Sequence, residues 1–397
     1  VRELTLVIRG GKIFTVTKGI VDEGLILIDE GKIKEVGKRE DVKVPPGADV
    51  IDAKDMYILP GLIDAHTHLG VSEQAIGWEG RDTNESTDPV TPHLRAIDGV
   101  KSDDPGFQDA LSSGVTTVGI LPGSGNVIGG MGAALKTYGR HKLEMLVKEP
   151  IGLKIAFGEN PKRVHGLENK RMPSTRMGIA GLLREWFTKT QNYVKKKEVF
   201  ANQPEKLPDL DVKLEALELV IKKTIPVRAH AHMVDDILTA ISLSTEFGFN
   251  IVLDHSTESH RIPDILAEYK IPAVVGPLFT SKYKVELRNR TTETPGILWK
   301  HGVKVAITTD HPVVPIKLLP LQVAVAIRDG LPFEEALRAV TINSAEILGI
   351  SNRVGSIEPG KDGDIIILDG PPFTIESRVV YTIVNGEIVY SKEDKKK

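Results

Sequence analysis

Cysteine is absent from all 397 residues, which excludes disulfides, thiolate nucleophiles and thiolate metal sites; any bound metal must rest on His and carboxylate side chains. No stretch approaches the roughly 18 uninterrupted apolar residues of a membrane span. The segment Val1–Gly11 alternates charged and apolar residues and lacks the apolar core of a signal peptide, so a cytoplasmic protein is expected. A large charge imbalance is lacking too. The formal net charge of -3 gives no reason to expect a nucleic acid or a membrane as partner, which leaves a small-molecule substrate and further copies of the chain. What is present is ordinary globular composition, 41% hydrophobic and 26% charged, in a chain long enough for one large domain and a smaller one.

The two ends of the chain read alike. Short strands are predicted at Leu4–Arg9, Gly11–Val16, Gly24–Asp29 and Lys32–Val36, and again at Asp364–Leu368, Val379–Val384 and Glu387–Tyr390, with Asn385-Gly386 as a hairpin turn. Residues 1–58 and 353–397 are therefore expected to form one small β-sandwich domain, with the closing lysines 395–397 as a solvated tail. Between them, apolar runs alternate with helical patterns, the signature of βα units and a parallel sheet. The runs are Ile58–Ala65, Thr116–Leu121, Gly132–Thr137, Gly152–Phe157, Ile225–Ala231, Asn250–Asp254, Ile271–Val275 and Lys304–Thr309. Residues 59–352 thus fit an α/β fold, a (β/α)8 TIM-like barrel, whose active-site groups sit at the carboxyl ends of strands. Residues 162–223 are too long for a simple connection. They read either as a helical insertion over the barrel mouth or as an ordinary helix behind a surface loop.

The first chemical signal is Asp64-Ala65-His66-Thr67-His68 at the end of an apolar run. Side chains at i and i+2 of a strand point the same way, so His66 and His68 can share one ion. With 11 His in the chain, chance alone supplies about 0.3 His-x-His pairs, so the motif is weak by itself. The series that follows is stronger: Glu159, His230, His255 and Asp310 each sit where an apolar run stops. Randomly placed polar residues would fall mostly on helices and loops, and the set is read as a metal centre.

Pro60-Gly61-Leu62-Ile63-Asp64-Ala65-His66-Thr67-His68 resembles the first-strand motif of the amidohydrolase superfamily, in its imidazolonepropionase-related and dipeptidase-like branch. Pro359-Gly360-Lys361-Asp362-Gly363-Asp364 resembles that family's return into its small sheet domain. The resemblance covers essentially the whole chain and implies one or two divalent ions, most simply Zn, and hydrolysis at amide or related bonds. It implies that His66, His68 and Asp310 hold the more buried ion and His230 and His255 the second. The family bridges its ions with a carbamylated lysine or a glutamate on the fourth strand, and both Lys154 and Glu159 are present. Glu159 is preferred because a carboxylate needs no modification. Asp310 would act as catalytic acid and base, and His255 would assist at the developing oxyanion.

Substrate contacts are expected from Asn126, in the Gly123–Gly130 turn, and from Arg163, His165 and Arg176 after Glu159; a solvated loop is the competing reading. His232, His260 and His311 lie beside ligands and are candidates to orient them. Deaminase and N-acetyl sugar deacetylase activities use the same scaffold, and a non-catalytic scaffold protein is the alternative from a different class. Related deaminases place a glutamate soon after the fifth-strand His, where this chain has Ala231-His232-Met233-Val234-Asp235.

Overall fold

The structure, a computed structural model, describes residues 5–392, so Leu4 and the lysine tail at 395–397 lie outside the described residues. Two mixed sheets carry the interior. The larger runs Ile128–Met131, Leu153–Ala156, Val227–Ala231, Ile251–His255, Ala273–Val275, Val305–Ile307. Its neighbours pair in parallel from Leu153 onwards, and only its first pair is antiparallel. The smaller runs Leu146–Lys148, Ala133–Lys136, Val115–Ile120, Leu62–Thr67, of which the last two are parallel. Strands such as Val227–Ala231 and Ile251–His255 are buried at every residue, as expected where helices cover a parallel sheet. The helix Val234–Phe247 links these two strands. The Glu258 carboxylate accepts its Val234 N–H at 2.9 Å, and Gly248, in the left-handed region, ends it.

The chain ends form two further sheets. One has the order Glu387–Ser391, Val379–Val384, Ile365–Leu368, Tyr57–Pro60, Lys12–Phe14, Ile20–Asp22, and so interleaves strands from both termini. The other runs Lys32–Lys38, Gly24–Asp29, Leu6–Arg9, Asp49–Asp52. A core rich in isoleucine, including Ile8, Ile26, Ile58, Ile365 and Ile383, joins the two.

Two expected strands are corrected. The run Ile58–Ala65 divides: Tyr57–Pro60 pairs with Ile365–Leu368, whereas Leu62–Thr67 pairs with Val115–Ile120. The chain changes sheets at Gly61, where a Cβ would lie 2.1 Å from Thr116 Oγ1. The run Gly132–Thr137 is not a βα strand, because Ala133–Lys136 lies antiparallel to Val115–Ile120. The glycine-rich turn at 123–130 likewise ends in a strand, Ile128–Met131.

The segment 162–223 does contain two helices. Arg176–Val199 starts where Thr175 Oγ1 accepts the Gly178 N–H, and Val212–Ile221 where Asp211 accepts from Lys213 and Leu214. Lys197 ties them together, 2.7 Å from Glu215 and 2.5 Å from Glu218. Among the described residues, no helix is long and apolar enough to cross a membrane.

Candidate metal centre

Register across the parallel strands decides which side chains meet. Lys154 lies opposite Arg228, and His230 opposite Asp254, so these four project from one face of three neighbouring strands. His66 arrives from the adjoining sheet. His255 ends its strand and Asp310 lies three residues past the strand that ends at Ile307, with φ of 67° and 53°, conformations that non-glycine residues adopt only where the surroundings hold them. Ring centroids of His66 and His255 are 4.8 Å apart, and those of His230 and His255 are 4.6 Å apart.

Three of the imidazoles are held at the same ring atom. His68 Nδ1 donates to the Leu121 carbonyl at 2.8 Å, and His255 Nδ1 donates to the Gly276 carbonyl at 2.9 Å. Gly276, at φ 144°, packs so closely that a Cβ there would sit 2.2 Å from Thr308 O. His66 Nδ1 faces Asp254 Oδ2 at 3.1 Å. In His68 and His255 the proton is therefore on Nδ1 and the Nε2 lone pair is free, the arrangement of metal-ligating histidines, whereas His66 Nε2 faces Lys154 Nζ at 3.2 Å. Asp310 Oδ1 lies 3.3 Å from His68 Nε2 and 3.7 Å from His66 Nε2. His68 Nε2 and the Asp310 carboxylate both present lone pairs, an arrangement that a cation between them stabilises. Ligand atoms of His66, His255 and Asp310 all lie within 4.8 Å of one another. His230 is buried, yet neither of its nitrogens has a hydrogen-bond partner. The donor set fits a divalent metal.

The surrounding charges hold this set in its unprotonated form. Burial pushes His66, His230 and His232 well below the usual histidine range, so they are neutral bases at pH 7. Burial would raise the Asp254 carboxyl, but the Arg228 guanidinium, 2.6 Å from Oδ1, outweighs it and keeps it ionised. Asp64 accepts from Thr308 and Thr309 Oγ1, both at 2.6 Å, and fixes the last strand beside the first.

The expected bridging residue lies apart from the clustered ligands. Among the described residues, neither group of clustered ligands contains Glu159. Glu159 begins a short helix past the strand end, and its N–H is bound by Glu286 Oε1 at 2.6 Å. Lys154 instead is fully buried, with Nζ 3.2 Å from His66 Nε2 and 4.0 Å from Asp254. Burial pulls its ammonium down to about 8. Alternation along the strand turns Lys154 inward, whereas Glu159 lies beyond the last strand residue, Ala156.

The four expected substrate contacts are engaged elsewhere. Asn126 and His165 pair with each other at 2.8 Å in the interior. Arg163 is exposed and pairs with Glu168; Arg176 makes a two-pronged pair with Asp236 at 2.8 and 3.1 Å. A cavity of about 210 Å3 opens on the centre, and it is lined instead by Asn84, Ser124, Asn160, Tyr283, Lys284 and Arg290 beside His68, His230, His232, His255 and Asp310. His232, bound at Nδ1 to Thr257 Oγ1 at 2.7 Å, groups with His230 and Glu286. Glu286 already takes Glu159 N–H and Lys284 (3.1 Å). His260 bonds Thr257 and Thr294, and His311 accepts from Ile316 N–H. Sequence reasoning missed Arg228, Asp254 and Glu286; charged residues inside otherwise apolar runs were the available signal for the first two.

Known proteins resemble this chain in sequence and fold. The chain is 33% identical over 389 residues to amidohydrolase tasK of Hapsidospora irregularis, covering 91% of this chain but only 39% of that relative's length. It is 26% identical to an imidazolonepropionase of Sphingopyxis alaskensis across 93% and 92% of the two chains. Its structure superposes on an amidohydrolase from Thermotoga maritima with a TM-score of 0.93 and 45% identity, over 98% of this chain and 100% of that one. A Xaa-Pro dipeptidase crystallised with methionine has a TM-score of 0.61 at 18% identity over 98% and 100% of the chains, a likeness of fold alone. The sequence profile of the amidohydrolase family matches residues 57–389, and the chain belongs to that family.

Proposed function

We propose that this chain is a metal-dependent hydrolase that cleaves an amide-type C–N bond in a small molecule, with His66, His68 and Asp310 holding one divalent ion, most simply Zn. His230 and His255 would hold a second, and Lys154, as its carbamate, would be the remaining candidate ligand. A divalent ion there supplies a water acidic enough to ionise near neutral pH and polarises the scissile carbonyl. The protein's own part is to position and to move a proton. Asp310 Oδ1, which has no hydrogen-bond donor, takes the proton of the attacking water and returns it to the departing nitrogen. His255, fixed by Gly276, stands beside it and assists at the oxyanion.

The observation that carries this reading is the meeting of the free His68 Nε2 with the unpartnered Asp310 oxygen in the interior, beside the unpartnered nitrogens of His230. We read the scaffold as the family's (β/α)8 barrel, which the consecutive parallel strands from Leu153 to Ile307 support, with residues 1–58 and 353–397 as its β-sandwich companion. Similarity to imidazolonepropionases along most of both chains supports cyclic amides as candidate substrates, beside the N-acyl amino acids and dipeptides expected from the sequence. Metal analysis together with a screen of these compounds and N-acetyl sugars tests the proposal. Protein that binds no divalent metal and turns over none of them sinks it.

A further inference from the structure

Two cations line the catalytic cavity, Lys284 and Arg290, and their charges are handled differently. Lys284 Nζ lies 3.1 Å from Glu286 Oε2, so the protein matches its charge. Arg290 is half-buried, and among the described residues no carboxylate comes within 4 Å of it. Its guanidinium donates through Nη1 to the neutral Thr280 hydroxyl, which leaves most of its five N–H donors unused on the side chain. Burial pulls its pKa below the usual arginine value, the mark of a charge removed from water without an opposite charge in return. The arginines first expected to read the substrate contrast with it, since Arg163 and Arg176 are each matched by a carboxylate.

A planar guanidinium with free donors, in the same cavity as Asp310 and His255, is built for a two-pronged carboxylate partner. We propose that Arg290 binds a carboxylate of the substrate, so that the reaction is hydrolysis of a small amide that also carries a free acid group. The assignment rests on the hydrolase reading above. The cavity, about 210 Å3, lies below the roughly 300–1,000 Å3 common for drug-sized ligands, which favours a compact acid over a long peptide.

The test uses the full metal-loaded chain with N-acetyl amino acids and dipeptides, each supplied as the free acid and as its carboxamide. The acids should be preferred by about 100-fold in kcat/KM, as expected when a buried charge is left unpaired by the wrong substrate. Arg290→Met should abolish that preference chiefly through a raised KM for the acids, with bound metal unchanged. Should Arg290→Met fail to fold, Arg290→Lys should lower the preference about tenfold, because a point charge replaces the fork. Equal turnover of acids and carboxamides, or a variant that keeps the full acid preference, overturns the assignment and leaves the hydrolase reading standing. If none of these compounds is turned over, the hydrolase reading is decided by the wider screen and metal analysis above. Calorimetry of the free acids then decides on Arg290: binding lost in Arg290→Met supports it, and unchanged binding overturns it.

Discussion

Buried charge is concentrated in two places, and they are built on opposite plans. At the junction with the terminal sheets, Lys136 Nζ lies 2.5 Å from Asp364 and 2.9 Å from Asp362, and Asp362 also meets Lys32 at 2.5 Å and Arg353 at 2.8 Å. Every charge there faces an opposite one. At the metal centre, Asp310 Oδ1 and both nitrogens of His230 are buried without partners. A saturated cluster holds elements in register, whereas a cluster with surplus acceptors is prepared for a cation that the chain does not itself supply.

The largest effect that would break this comparison is at Asp310. Asp310→Asn should cut kcat by at least about 1,000-fold while most of the metal stays bound, as steady-state kinetics and metal analysis would show; parental activity removes Asp310 from the mechanism. Next is Lys154. Lys154→Met should lower metal affinity by about 10- to 100-fold, whereas Glu159→Gln should leave it within about twofold, and the reverse ranking would restore Glu159 as the bridge.

At the junction the same kind of change should touch stability. Lys136→Met leaves two buried carboxylates short of their main cation and should cost about 3–5 kcal/mol in denaturant unfolding, with turnover per folded molecule unaltered. A loss as small as that of an exposed pair would mean the cluster is not under tension.

The smallest effect is in acid. Burial raises the Asp362 carboxyl, but Lys136 and the hydrogen bond from Lys32 outweigh it and hold it below its usual value. A depressed carboxyl contributes stability that is complete above its unfolded pKa, about 3.9, and is lost as the pH falls through its lower folded value. Unfolding midpoints should therefore drop below about pH 4 more steeply in the parent than in Lys136→Met, and parallel acid limbs would contradict the assignment.

Much of the centre was legible because strand ends can be read from apolar runs. His66, His68, His230, His255 and Asp310 were all singled out that way, and the structure brings them close to one another. Where the reading failed, the deciding variable was direction. Lys154 and Glu159 are five residues apart, and only the pairing of Lys154 with Arg228 shows which one faces inward. Asn126, His165 and Arg176 had suitable chemistry, but Glu85, Thr91, Asp236 and one another had already claimed their hydrogen bonds. Arg290, which lines the cavity, lies in a loop with no periodic pattern and drew no notice.

The sequence by itself determined the donor chemistry, since a chain without cysteine has only imidazole and carboxylate for a metal, and it determined the alternation of strand and helix that puts those donors at strand ends. Only the tertiary structure decided which donors remain free. Whether a polar atom is spent on a neighbour or left open depends on contacts between residues far apart along the chain, and local pattern carries no record of them.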